Sequence, residues 1–266
     1  MTTPGIGRVA LRVADLDRMV EFYERAVGLE RRAQNDERAV LGAGDGPLLV
    51  LLAAPDTPAR DPAAAGLFHT AFRVPSRAAL GDALDRVETA WRLDGASDHH
   101  VSEALYLSDP EGNGIELYRD RPQADWPTTA DGRVEMDTLP LALDPLREAA
   151  AGTDRCPPGT DIGHVHLEVS SLAAARAWYV DGLGLDIRQS MPAALFLADG
   201  DYHHHVGLNT WNGRSAPTGG RGLAWFELFL AESTAAVRER LGGGTTAARG
   251  VDATDPDGVE VRVRRT

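Results

Sequence analysis

The sequence contains no lysine, one cysteine and no long apolar run, and its 27 basic side chains other than histidine are all arginine. Without lysine, neither a Schiff-base lysine nor a P-loop lysine is available. Cys156 cannot form an internal disulfide or a cysteine metal knuckle. A run of about 18 apolar residues is absent, so no transmembrane helix is expected. The N-terminus lacks the basic and apolar regions of a signal peptide, and we therefore expect a cytoplasmic protein.

Acidic residues outnumber basic ones, and the formal net charge is -13 with a pI of about 5.0. Nucleic acids and anionic membranes both need a basic protein surface, so neither is expected as a partner. The length of 266 residues is enough for one large or two medium domains.

An internal repeat organises the chain. Residues 8–29 and 164–185 match at a constant offset of 156. Each copy opens with the alternating apolar positions of a strand and continues as an amphipathic helix. Asp15 and Ser171 are predicted helix N-caps. Gly28 and Gly184 stand where a helix end favours a left-handed residue.

A second repeat relates residues 66–118 to residues 222–262, and both copies contain an Asp-Pro-x-Gly turn before a final apolar strand. The chain therefore divides into four strand–helix–strands units. Their predicted limits are 5–56, 64–120, 160–213 and 220–265. We predict two domains of two units each, 1–120 and 159–266, joined by a Pro-, Asp-, Thr- and Ala-rich linker over 121–158.

Several of these motifs resemble a known superfamily. Val-x-Asp-Leu, Phe-Tyr and Gly-Leu occur in order, followed by Asp-Pro-x-Gly-Asn-x-Ile-Glu-Leu. Residues 163–167 read Gly-His-Val-His-Leu, and residues 202–211 read Tyr-His-His-His-Val-Gly-Leu-Asn-Thr-Trp. Together they resemble the vicinal oxygen chelate (glyoxalase, bleomycin-resistance and extradiol dioxygenase) superfamily, and its catechol 2,3-dioxygenase-like branch in particular. The resemblance implies an α+β fold of four βαβββ modules that form two half-open β-barrel cups.

In that superfamily, the first strand of a module can supply a histidine ligand, the last strand a glutamate, and two modules share one metal. The first-strand positions here are Arg8, His69, His164 and Trp225, and the last-strand positions of modules two and four are Glu116 and Arg262. Only the pairing of modules two and three gives a complete 2-His-1-carboxylate set, the signature of non-haem Fe(II) oxygenases. The resemblance therefore implies Fe(II), or alternatively Mn(II), held by His69, Glu116 and His164, with modules one and four as a structural cup.

The same resemblance implies roles for residues around the metal. Ring cleavage needs a group that takes a proton from the diol and later returns it, which suits a neutral histidine. By resemblance that residue is His205, and strand alternation predicts that His203 and His205 share one face with His204 on the other. Tyr106 is expected to hydrogen-bond the substrate oxygen and His99 to contact the substrate. The residues expected to line the substrate pocket are His204, Asn209 and Trp211.

The predicted function is O2-dependent meta cleavage of a catechol-type aromatic diol. One alternative is a glyoxalase-type isomerase or lyase, which normally uses two glutamates around the metal; residues 206–209 of module three contain none. The other alternative is a non-enzymatic binding protein of the bleomycin-resistance type, which usually lacks the three ligands. Assembly as a homo-oligomer is left open by the sequence.

Overall fold

The computed structural model describes residues 3–44, 46–129, 134–247 and 250–266. Module one consists of β1 (Gly5–Val13), α1 (Leu16–Phe22) with a π-helical extension (Tyr23–Val27), β2 (Glu30–Gln34), β3 (Arg38–Ala43) and β4 (Gly46–Ala53). Module two consists of β5 (Gly66–Arg73), α2 (Arg77–Ala90), β6 (Gly95–Asp98), β7 (Ser102–Ser108) and β8 (Gly114–Asp120).

The predicted linker contains three short elements: a 3-10 turn (Gln123–Asp125), β9 (Leu139–Pro140) and α3 (Asp144–Arg147). Its residues 130–133 lie outside the described residues. Module three consists of β10 (Asp161–Glu168), α4 (Leu172–Arg176) with a π-helical extension (Ala177–Gly182), β11 (Asp186–Met191), β12 (Ala194–Ala198) and β13 (Val206–Asn209). Module four consists of β14 (Gly222–Leu230), α5 (Thr234–Arg240), β15 (Thr245–Ala247), β16 (Gly250–Thr254) and β17 (Glu260–Arg265).

The strands form two sheets. An eight-stranded sheet with the order β15-β16-β17-β14-β1-β4-β3-β2 contains modules one and four. A nine-stranded sheet with the order β11-β12-β13-β10-β5-β8-β7-β6-β9 contains modules two and three and the linker strand. The predicted α+β fold of four βαβββ modules, with modules two and three paired, is therefore confirmed.

Two compact units can be separated by their internal contacts. One comprises Met1–Arg12, Asp56–Phe68 and Gly163–Thr266, and the other comprises Val13–Pro55 and His69–Ile162. The first unit contains the parallel strand pairs β14–β17 and β10–β13. In the second, β8 pairs with β5 and β7, and α2 packs against β8 and α3. The predicted domains, 1–120 and 159–266, stay a prediction.

The predicted helix boundaries are confirmed. The side chains of Asp15 and Ser171 accept hydrogen bonds from the backbone N–H groups three residues on, as N-caps do. Gly28 and Gly184 have φ angles of 90° and 85°, which a glycine adopts without strain. None of the described helices combines the length and apolar character needed to cross a membrane.

Equivalent hydrogen bonds to the aspartate side chain stabilise the two Asp-Pro-x-Gly turns. Asp109 accepts hydrogen bonds from the backbone N–H groups of Glu111 and Asn113 and from the hydroxyl of Tyr23. Asp255 accepts equivalent bonds, one of them from the hydroxyl of Tyr179. Burial, and then the neighbouring aspartates, raise the pKa of both tyrosines well above the usual value, so each stays a neutral donor. These buried bonds fix the turn that leads into the last strand of modules two and four.

Candidate metal centre

The three predicted metal ligands come from adjacent strands of the nine-stranded sheet. His69 lies on β5, Glu116 on β8 and His164 on β10, in the strand order β10-β5-β8. All three are buried, and their ligand atoms lie within 4.8 Å of one another. His69 Nε2 is 3.1 Å from Glu116 Oε2. The structure thus gathers the predicted ligands into a three-residue cluster that can hold a metal ion.

The donor set fits a divalent transition metal. Two donors at adjacent corners of an octahedron, each about 2.1 Å from the ion, are about 3 Å apart, which matches the 3.1 Å between His69 and Glu116. Two neutral imidazoles and one carboxylate suit Fe(II) or Mn(II) and leave coordination positions for other ligands. Burial of an isolated carboxylate is costly, and a bound cation offsets that cost.

The corresponding positions of modules one and four contain cations instead. The Arg262 guanidinium lies 3.8 Å from the centre of the Trp225 ring, and that of Arg8 lies 5.6 Å from it. Arg8 also forms a bidentate ion pair with Glu227. Two guanidinium groups repel a dication, so these positions do not suit a metal site, and the structural role expected for modules one and four stays a prediction.

Tyr106 and His99 lie beside the ligands. Tyr106 is on β7, and its ring centre is 5.8 Å from that of His69. Burial, followed by the charge of Glu116, raises the pKa of Tyr106 well above its usual value. His99 follows β6, and its Nε2 is 2.7 Å from the Tyr106 hydroxyl. Its Nδ1 is 2.6 Å from the backbone carbonyl of Asp137, a contact that the sequence could not indicate.

The histidine triplet precedes β13, which begins only at Val206. The strand predicted over the triplet is therefore wrong, because residues 203–205 lie before β13. The predicted placement of His203 and His205 on one face and His204 on the other stays a prediction. The His204 ring centre lies 4.1 Å from that of His164, and Nδ1 of His204 is 2.7 Å from Nδ1 of His203. The His204 ring is thus closer to His164 than the His203 ring, whose centre is 6.2 Å away.

His205 has a different environment. Its ring stacks on Tyr202 with centres 5.0 Å apart, and its Nδ1 is 3.3 Å from the backbone N–H of Asp199, which donates to it. The ring also lies 3.7 Å from where a Cβ on Gly5 would be. His205 is therefore packed against Tyr202 and close to Gly5.

The other two residues predicted to line the pocket are Asn209 and Trp211. They lie near the end of β10 that is farther from His164. Asn209 ends β13 and is fully buried, and its Oδ1 accepts a hydrogen bond from the backbone N–H of Trp211. The Trp211 side chain is 49% exposed, and its ring centre is 5.1 Å from that of His166. His166 was missed in the sequence, although its spacing of two from His164 is the signal that would have found it.

Comparisons with known proteins agree with this geometry. The model of the "Glyoxalase/Bleomycin resistance protein/Dioxygenase superfamily" matches residues 5–117 and 161–263. A catechol-2,3-dioxygenase of Bacillus subtilis is 42% identical over 237 residues, covering 85% of this chain and 82% of that protein. A biphenyl-2,3-diol 1,2-dioxygenase of Rhodococcus globerulus is 29% identical over 160 residues, covering 56% of this chain and 82% of that protein.

Solved structures show the same fold at low sequence identity. A putative dioxygenase from Bacillus subtilis superimposes with a TM-score of 0.64 at 12% identity, covering 98% of this chain and 84% of its own. Glyoxalase I from Zea mays superimposes with a TM-score of 0.60 at 18% identity, covering 99% and 92%.

Proposed function

The chain belongs to the glyoxalase/bleomycin resistance protein/dioxygenase superfamily, and from this premise we propose that it is an extradiol dioxygenase, which opens a catechol-type ring with O2. The observation that carries the proposal is the buried cluster of His69, Glu116 and His164. These three residues would hold a divalent iron or manganese ion, which would supply open coordination positions for the diol and O2.

The neighbouring side chains have tasks that suit such a reaction. Tyr106, a neutral phenol, binds a substrate oxygen beside the ligands. The carbonyl of Asp137 can only accept a hydrogen bond, so Nδ1 of His99 carries a hydrogen. In the neutral imidazole, Nε2 then accepts the hydrogen of the Tyr106 hydroxyl and turns the phenol oxygen toward the substrate.

Proton transfer is proposed for the adjacent histidines His204 and His205. Sequence resemblance favours His205, whereas the ring contact with His164 favours His204. We assign the transfer to His204 on that ring contact, with His205 as the alternative. The assigned residue would take a proton from the diol and return it before product release.

The two alternative functions have less support. A glyoxalase-type isomerase would need a second glutamate on the last strand of module three, and β13 has none. A binding protein that uses no metal does not require a buried cluster of three side chains that can ligate a metal. Iron as the metal, a cytoplasmic location, a homo-oligomer, and the lack of nucleic-acid and membrane partners stay predictions.

Oxygen uptake tests the proposed function directly. Protein loaded with Fe(II) or Mn(II) under nitrogen is expected to consume one O2 per catechol when air is admitted, and to form a yellow ring-opened product. An oxygen electrode and absorbance spectra measure both. Loss of catechol without O2 consumption would contradict a dioxygenase. The same assay on protein loaded with each metal in turn identifies the one that supports turnover.

The contact between His99 and Tyr106 predicts a difference between two amide variants. His99→Asn keeps a donor near Nδ1 but cannot reach Tyr106, so kcat/KM should fall about 10–100-fold, as for other lost outer-shell partners. His99→Gln places its amide near Nε2 and should keep most of the activity.

The neighbouring His100→Asn serves as the control, because His100 has a φ of 66°, which asparagine tolerates. Steady-state kinetics with catechol measure all three variants. Full activity of His99→Asn would show that the Tyr106 contact has no part in turnover.

A further inference from the structure

One face of β10 continues beyond the metal ligand. Side chains alternate along a strand, so His164, His166 and Glu168 share a face. Glu168 is four residues from His164, which is about 13 Å along the strand. The pairing of His166 with Gly207 on β13 agrees, because a Cβ on Gly207 would lie 2.8 Å from the His166 ring.

Aromatic rings cover the middle of this face. The His166 ring centre is 5.1 Å from that of Trp211, 5.4 Å from that of Phe68 and 5.7 Å from that of Phe196. Phe196 also contacts His204, whose ring lies against His164. This continuous row of aromatic and imidazole ring contacts, the aromatic path, runs from the metal ligand along the strand.

The far end of the path is positively charged. Glu168 is 2% exposed and binds Arg60 at 2.6 Å, Arg214 at 3.0 Å and the amide of Asn212 at 2.6 Å. One carboxylate against two guanidinium groups leaves a net charge of +1. Arg60 is also anchored to the carbonyl of Leu67, whereas Arg214 binds Glu168 through Nε. In the described part of the chain, the terminal nitrogens of Arg214 make no protein hydrogen bond.

A second donor lies on the face of the sheet that carries Glu168. Asn209 pairs with Glu168 across β13 and β10, so the two share the face. Because the Asn209 Oδ1 accepts from the Trp211 N–H, the orientation of the amide is decided. Its Nδ2 is buried without a hydrogen-bond partner among the described residues. A buried donor of this kind costs free energy unless a ligand accepts from it.

We propose that Arg214 and Asn209 form a subsite for an anionic group, such as a carboxylate, at the far end of the diol substrate. The proposal rests on the proposed function and names the substrate class: a catechol whose ring substituent runs along the aromatic path and ends in an acid. A protein with a net charge of -13 repels anions in general. Selection of an acid therefore requires a local cation and an oriented donor.

A matched pair of ligands tests the subsite. Metal-loaded protein is titrated under nitrogen, by calorimetry, with 3-(3,4-dihydroxyphenyl)propanoate and with its primary amide, and again with the 2,3-dihydroxy isomers. The acid should bind about tenfold more tightly than the amide, as expected for a charge-assisted hydrogen bond. Arg214→Gln should reduce this ratio to about one, and Arg214→Lys should restore part of it. Asn209→Ala should reduce it independently.

Arg238→Gln is the control, since it removes the same charge from an exposed position on α5. It should leave the ratio unchanged. A wild-type ratio of one or below, or an equal loss in Arg238→Gln, would overturn the subsite. Oxygen uptake with unsubstituted catechol reports the proposed function separately. A tenfold ratio in a protein that does not oxidise catechol would support the subsite and refute the dioxygenase.

Discussion

Glu116→Ala is expected to abolish metal retention and, with it, ring cleavage. The substitution removes the only negatively charged member of the cluster, whose oxygen lies 3.1 Å from His69 Nε2. Loss of a charged ligand worth about 4 kcal/mol weakens metal binding about a thousandfold. His69→Ala and His164→Ala should have comparable effects, because two remaining ligands cannot hold the ion against dilution.

Two readouts separate metal loss from unfolding. Metal content after gel filtration reports retention, and the rise in Tm on adding Fe(II) or Mn(II) under nitrogen reports binding to the folded protein. The wild type should show that rise and Glu116→Ala should not. Glu239→Ala, at an exposed position on α5, is the control and should behave like the wild type. Normal metal content in Glu116→Ala would refute the assigned site.

His204→Phe is expected to keep the metal and lower kcat by about a hundredfold to ten-thousandfold, the usual range for a lost general acid–base. The phenyl ring preserves packing against Phe196 and His164 but cannot carry a proton. His205→Phe should instead lower the Tm, because it removes the acceptor for the Asp199 N–H, and it should reduce kcat less than tenfold.

The two variants form a reciprocal test. Metal content, Tm and kcat with catechol are measured for both. If His205→Phe loses at least a hundredfold in kcat with its metal and Tm intact, while His204→Phe stays active, the acid–base role belongs to His205 as sequence resemblance predicted. Loss of metal by His204→Phe would show that the residue supports His164 and does not move protons.

Much of the site follows from patterns with a regular period. The offset of 156 between the first and third modules places His164 in a first strand, and the Asp-Pro-x-Gly turn places Glu116 in a last strand. Both positions depend on strand register, which a short sequence motif specifies well. Modules one and four have arginine and tryptophan at these positions, so the resemblance to the superfamily implied that they form a structural cup.

Other parts of the site have no such pattern. The contact with His99 comes from the main-chain carbonyl of Asp137, which every residue type possesses. The histidine triplet lies before the strand, where a period of two does not apply. The pairing of Glu168 with Arg60 and Arg214 joins positions 108 and 46 residues apart.

The sequence by itself determined the four modules, which depend on alternation, turn chemistry and spacing, all local properties of the chain. The pairing of the second module with the third and the three proposed metal ligands were implied by the resemblance to the superfamily. Only the tertiary structure decided that the His204 ring packs on His164, which backbone oxygen holds His99, and that Arg60 and Arg214 meet at Glu168. Such contacts arise between distant segments, whose approach is set by packing and loop geometry and leaves no periodic signal in the sequence.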